Sequence, residues 1–304
     1  MSTLKIAIIG AGGVGGYLAG KLVHNDYDIT LVAQGKHLSI IRENGLRIKE
    51  YKGDEFTVYP YVTDSLDKEL FDIIFIATKS CDYKDACKLI ENVVDKNTLI
   101  IPLSDGLGVS STLKEYLPSC CVIGDGLIHI ISELKSPGIV HRKSFTFYLQ
   151  IACKEENINL KILEQLLNYC DLRTSSTKSL RYERWKKYLF TSTMSMLTTY
   201  FDKPMGYVFK EQLELMLDIL LEIQKVANAK DIKISNKDIE KTVNQASHVE
   251  YETKTAMQIE FENNMKSEFE LLVGYVVREA NKLNISIPQM EKIYTNLKEK
   301  YSNE

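Results

Sequence analysis

Residues 5–10 read K-I-A-I-I-G, an apolar, mostly β-branched run that stops at a glycine. A run without polar alternation predicts a strand buried on both faces, as in the middle of a parallel sheet. A helical pattern follows over residues 17–23, with Leu18, Ala19, Leu22 and Val23 at helical spacing. Further apolar runs lie at residues 28–33, 73–78, 98–103 and 121–123, separated by segments patterned as helices, such as 83–94. Strands alternating with helices predict a doubly wound parallel sheet. From about Ser179 the strand-like runs end. Residues 180–199, 210–229, 236–245 and 251–284 carry apolar side chains three and four apart, and Ser286-Ile287-Pro288 introduces a last short helix. The predicted class is α/β, a doubly wound sheet over residues 1–172 followed by an all-α domain over 178–304. The stretch L-R-T-S-S-T at 172–177 is the expected linker. The Met, Leu and Tyr stripes of the helical half read as core or dimer-interface packing, and a homodimer is an expectation.

Composition narrows the class of partner. A chain of 304 residues suits two domains, and 44 % hydrophobic with 26 % charged residues excludes disorder and collagen-like repeats. Lys and Arg number 38 against 41 Asp and Glu, so there is no basic field for nucleic acid. The six cysteines contain no C-x-x-C pair and no interleaved histidines, so they read as reduced, mostly buried thiols with no metal. Neither a signal-peptide cleavage pattern nor a run of about 20 apolar residues is present, which places the expected protein in the cytoplasm and off the membrane.

Gly10-Ala11-Gly12-Gly13-Val14-Gly15 matches G-x-G-x-x-G between the first strand and the first helix. In a Rossmann-type βαβ unit the first glycine permits the tight turn, the second lets backbone approach a pyrophosphate, and the third lets helix and strand pack closely. Gly10, Gly12, Gly13, Val14 and Gly15 are therefore candidate cofactor residues, with the helix N-terminus facing the phosphates. An acidic residue at the end of the second strand would bind the ribose hydroxyls of NAD. Gln34, Lys36 and His37 stand there instead and leave room for a 2′-phosphate, favouring NADP, unless Lys36 is only a solvated surface charge. At later strand ends, Lys79 is a candidate for the cofactor phosphate or ribose, or a plain surface lysine, and Asp105 is placed on the nicotinamide side. In the helical half, Lys187 lies among aromatic neighbours in W-K-K-Y-L-F. Desolvated there, it would be a proton donor near neutrality; snorkelling to the surface, it would be inert.

Together these stretches resemble the ketopantoate reductase (2-dehydropantoate 2-reductase) family over nearly the whole chain. The matching segments are I-G-A-G-G-V-G-G-Y-L at 9–18, L-V-A-Q-G-K-H-L at 31–38, R-E-N-G-L at 42–46 and A-T-K-S-C-D-Y at 77–83. P-L-S-D-G-L-G at 102–108, P-G-I-V-H at 137–141 and E-R-W-K-K-Y-L-F at 183–190 complete the series. The resemblance implies an NADP-binding Rossmann domain, a helical substrate domain and a cleft between them. It also implies hydride transfer to the ketone of a small 2-oxo acid, with ketopantoate, a pantothenate precursor, as the best named substrate. The family's catalytic lysine falls on Lys187, which would polarise the carbonyl oxygen and protonate the alkoxide.

Several substrate-binding positions depart from the family. Its Q-N-G is Ser104-Asp105-Gly106 here, its two asparagines after the lysine fall on Thr191 and Ser195, its serine on Ala246, its glutamate on Gln258, and its arginine after the second strand on Gln34. An ionised Asp105 about 4 Å from a bound carboxylate would oppose it by about 4 kcal/mol at an effective dielectric near 20. Asp105 therefore either holds the nicotinamide ribose or suits an uncharged or cationic carbonyl compound. The alternative to a reductase is a non-catalytic dinucleotide-binding paralogue.

Overall fold

The computed structural model describes residues 4–66, 69–154 and 157–302. The chain divides into two compact units. The first runs to Ser104 and resumes over Val109–Leu180; the second takes Asp105–Gly108 and everything from Arg181 onward.

The first unit opens β1 (Ile6–Ile9), α1 (Gly13–His24), β2 (Ile29–Val32), α2 (Gly35–Asn44), β3 (Leu46–Lys49), β4 (Glu55–Val58) and β5 (Tyr61–Thr63). It continues with β6 (Ile73–Ile76), α3 (Tyr83–Ile90), β7 (Leu99–Pro102), α4 (Val109–Lys114), β8 (Val122–Ile123) and β9 (Asp125–His129). It closes with β10 (Ser132–Ser136), β11 (Ile139–Arg142), β12 (Tyr148–Ala152), α5 (Ile158–Tyr169) and β13 (Thr174–Thr177). A six-stranded parallel sheet in the order β5-β2-β1-β6-β7-β8 forms its centre. Every residue of β1, β6 and β7 is buried, as the unbroken apolar runs require. The strand order turns back between β1 and β6, so ligand-binding residues belong at their carboxyl ends.

Two smaller sheets were not foreseen. A four-stranded sheet in the order β10-β11-β3-β4 lies against α1, and a three-stranded sheet in the order β13-β12-β9 carries α5. Helix α1 is clasped on two sides. A side chain at Gly15 would strike the Gly10 carbonyl and Ala77, while one at Gly16 or Gly20 would strike Val140 or Ile48 of the four-stranded sheet. The expected linker at 172–177 is a correction: Leu172 is fully buried and residues 174–177 are β13, paired in parallel with β12.

The second unit contains α6 (Arg181–Phe201), α7 (Met205–Glu211), α8 (Leu213–Ala229), α9 (Asn236–Ser247) and α10 (Ala256–Glu262). After a π-helical turn at Glu270–Gly274 come α11 (Tyr275–Leu283) and α12 (Pro288–Ser302). The single helix expected over 251–284 is broken. Asn264 takes a left-handed conformation just past α10, which ends the helix. The pattern that begins at Lys210 is interrupted at Gln212, which caps both α7 and α8.

The units have separate hydrophobic cores, one from Ile6 to Leu172 and one that includes Leu107, Trp185, Tyr188 and Ile223. No disulfide joins the six cysteines, which all lie in the first unit. Cys87, Cys153 and Cys170 are buried, Cys121 is intermediate, and Cys81 and Cys120 are exposed, so only half of the thiols are in the core. Among the described residues no helix is long and apolar enough to cross a membrane, and no cluster of His, Cys, Asp and Glu is placed to hold a metal ion.

Candidate functional site

The glycine loop follows β1. Gly10 has φ +104°, a conformation in which any other L-residue is strained, and its N–H donates to the Val32 carbonyl at 3.1 Å. Where a side chain at Gly12 would project, the space is open, so ligand backbone and phosphate can approach. Helix α1 begins at Gly13 with no side-chain cap at Gly12. The first-turn N–H groups of Gly13, Val14 and Gly15 therefore lack intrahelical acceptors and carry the helix's partial positive charge. Directly after β6, the hydroxyl oxygen of Thr78 is buried with no hydrogen-bond partner, and its methyl group borders Gly10. An open loop face, a row of free amides and an orphaned hydroxyl fit the pyrophosphate of a dinucleotide.

At the end of β2, Gln34 is the N-cap residue of α2 and is exposed, as is Lys36 in the first turn. No carboxylate stands between them. Lys79, after β6, is half-buried and precedes a short 3₁₀ turn at Ser80–Asp82. His37 faces backbone with both ring nitrogens. Its Nε2 lies 2.8 Å from the Ala11 carbonyl, and its Nδ1 accepts from the Gly138 N–H at 2.9 Å, so both ring nitrogens are engaged within the protein.

The helical unit holds the second cluster. Helix α6 buries Trp185, Tyr188 and Leu189 and turns Lys187 toward the loop Asp105–Gly108. The Lys187 ammonium donates to Asp105 Oδ1 at 2.6 Å, with the two side chains 18 % and 34 % exposed. Lys187 is thus ion-paired and mostly buried, neither the unpartnered desolvated lysine nor the snorkelling one that the sequence left open. The loop that carries Asp105 is fixed from three directions. Buried Arg184 donates to the Gly106 carbonyl at 3.2 Å, Leu107 enters the helical core, and Gly106 fits against Leu271 where no side chain would. The role of Arg184 escaped the sequence reading. An arginine one turn before Lys187, immediately ahead of the stretch W-K-K-Y-L-F, is its local signal.

Thr191 and Ser195 follow Lys187 at intervals of four and so share its face of α6; Thr191 is half-buried and Ser195 buried. Farther along, the Thr198 hydroxyl meets that of Thr255 at 2.8 Å, and Thr255 caps α10 by accepting from the Gln258 N–H. Gln258 is 2 % exposed. Its amide nitrogen donates to Glu262 at 3.1 Å, whereas its Oε1 is buried with no hydrogen-bond partner. The structure joins Lys187 with Asp105 and aligns Thr191 and Ser195 behind it. Ala246 is buried in the helical core, where its methyl side chain offers no hydrogen bond.

Comparison with known proteins covers both halves of the chain. Residues 6–154 match the family described as "Ketopantoate reductase PanE/ApbA", and residues 179–301 match its C-terminal counterpart. The chain is 25 % identical over 298 residues to an uncharacterized oxidoreductase, YkpB, of Bacillus subtilis (strain 168), covering 97 % of this chain and 98 % of that one. It is 24 % identical over 315 residues to the 2-dehydropantoate 2-reductase of Nostoc sp., covering 98 % and 95 %. Among solved structures, a PanE/ApbA family ketopantoate reductase from Ralstonia eutropha JMP134 superposes with a TM-score of 0.89 at 21 % identity, covering 99 % of both chains. With both halves of the chain matched in order, this protein belongs to the ketopantoate reductase family, nicotinamide dinucleotide-dependent oxidoreductases acting on ketone and CH–OH groups.

Proposed function

We propose that this protein is an NADPH-dependent reductase of the ketone of a small 2-oxo acid, with 2-dehydropantoate as its best named substrate and Lys187 as proton donor. The observation that carries this reading is the half-buried Lys187 ammonium, held at 2.6 Å by Asp105 on a loop that Arg184 fixes. When bound, the reduced nicotinamide supplies a hydride to the carbonyl carbon. The amides of the glycine loop hold the pyrophosphate, Gln34 and Lys36 receive the 2′-phosphate, and Lys79 reaches the phosphate or ribose. Lys187 polarises the carbonyl oxygen and gives it a proton. Thr191, Ser195 and the free Oε1 of Gln258 offer uncharged hydrogen bonds to the substrate. Asp105 holds Lys187 in place.

The same ion pair favours a second reading within the family. Because Asp105 already balances the charge of Lys187, an uncharged carbonyl compound would meet less competition than a carboxylate. The deciding experiment follows NADPH oxidation with 2-dehydropantoate beside other 2-oxo acids and neutral ketones, with NADH in parallel. Replacing Lys187→Ala lowers kcat at least about 100-fold and leaves NADPH affinity unchanged. Dinucleotide binding without turnover of any compound would instead favour a non-catalytic paralogue.

A further inference from the structure

His37 and Ser132 stand outside the motif that carries the glycine loop, yet each holds one of its carbonyls. The Ala11 oxygen can only accept, so His37 Nε2 is the donor across 2.8 Å. The Gly138 N–H can only donate, so Nδ1 is the acceptor across 2.9 Å. Both bonds together select the Nε2–H tautomer. On the other side of Gly12, Ser132 Oγ donates to the Gly13 carbonyl at 2.8 Å and lies 3.3 Å from the His141 carbonyl. The backbone at Ser132 and Glu133 is so close that any side chain at Gly13 would overlap it.

These bonds bear on the amides. In a planar trans peptide the C=O and the following N–H point in opposite directions. Fixing the Ala11 carbonyl therefore aims the Gly12 N–H away from His37, and fixing the Gly13 carbonyl aims the Val14 N–H away from Ser132. Resting on the reading that a nicotinamide dinucleotide binds this loop, we propose that His37 and Ser132 are positioning residues that pre-set the two amides for the pyrophosphate. The four-stranded sheet thereby serves as a brace for the cofactor loop: Gly138 sits on its β10–β11 turn, its carbonyl accepts from the Arg47 N–H in β3, and its N–H fixes the tautomer of His37. A loop ordered before the ligand arrives loses less entropy when it binds.

Two substitutions at one position separate the bonds. His37→Asn keeps an acceptor at the place of Nδ1 but does not reach Ala11, whereas His37→Gln carries an amide N–H out to the place of Nε2. His37→Asn and Ser132→Ala are each expected to raise Kd and KM for NADPH about fivefold, the worth of one hydrogen bond. kcat at saturating NADPH and KM for the carbonyl substrate stay as they were, and His37→Gln stays within about twofold of the parent. Amide hydrogen exchange over residues 10–16, measured without ligand, accelerates in His37→Asn and Ser132→Ala. Parent-like Kd and exchange in both variants would overturn the proposal. Should His37→Asn fail to fold, Ser132→Ala carries the test alone. If the unaltered protein binds neither NADPH nor NADH, the functional reading fails, and exchange in the ligand-free loop still decides whether His37 and Ser132 order it.

Discussion

Asp105 sits 82 residues from Lys187 in sequence and 2.6 Å from it in space, and that separation explains what a reader of the sequence sees of this site. Lys187 and the glycines were visible because each belongs to a local pattern: an aromatic helix segment for one, a strand–turn–helix for the others. The partner of Lys187 was not visible, because no local spacing encodes which loop returns to which helix. Asp105 looked like a bare negative charge that would oppose a substrate carboxylate. In the fold its charge is answered by Lys187, so its effect on a carboxylate is competition for the ammonium. Asp105→Asn removes that charged competitor, and KM for 2-oxo acids is expected to fall about tenfold, in line with a charge-assisted hydrogen bond of 1.5 kcal/mol or so. Steady-state kinetics with a 2-oxo acid and a neutral ketone check this. An equal change for both compounds would mean that Asp105 does not compete with carboxylates.

The start of α9 carries a prediction for helices. Asp238 accepts from the N–H and the hydroxyl of Ser235, at 2.9 and 2.7 Å, and from the Tyr182 hydroxyl at 3.0 Å. Burial pushes its pKa up, but these hydrogen bonds outweigh burial and hold it below the ordinary aspartate value. A depressed carboxylate stabilises the fold above the pKa of the unfolded chain, about 3.9, and that contribution is lost as pH falls through the folded value. Asp238→Asn should therefore cost about 1 kcal/mol near pH 7, the worth of a capping interaction, with the difference closing below about pH 4. Urea unfolding at several pH values measures it, and a difference that persists unchanged at pH 3 would refute the account. Element by element, the central strands and the long α6 were legible because their apolar periods are unbroken. The four-stranded sheet was not, since β10 reads S-E-L-K-S, β3 L-R-I-K and β4 E-F-T-V, where charged residues break the apolar run. Gly13, Gly16 and Gly20 were its trace, a glycine face on α1 broader than a phosphate loop needs. The Asn263-Asn264 pair was the local signal for the end of α10, passed over by the expectation of one helix across 251–284.

For the whole molecule, two hydrophobic cores were legible from the change of texture near residue 179, but the excursion of Asp105–Gly108 into the helical unit was not. That excursion is a tertiary event, made by Leu107 entering a core built almost wholly from residues beyond Arg181. Side-chain chemistry is divided in the same way. Burial pushes the Cys87 and Cys170 thiols up to about 11, so at pH 8 almost none is thiolate, while Cys81 and Cys120 lie exposed. An aromatic disulfide reagent should modify Cys81 and Cys120 quickly and reach Cys87 and Cys170 only on unfolding. Mass mapping of the labelled sites reads this out, and equal labelling of Cys87 and Cys81 in the folded protein would contradict the packing. Since every thiol is in one unit and Trp185, the chain's single tryptophan, is buried in the other, the protein comes already equipped with two separate signals. Thiol labelling reports on the sheet-containing half and indole fluorescence on the helical half, so melting and ligand titration can be followed in each without an engineered probe.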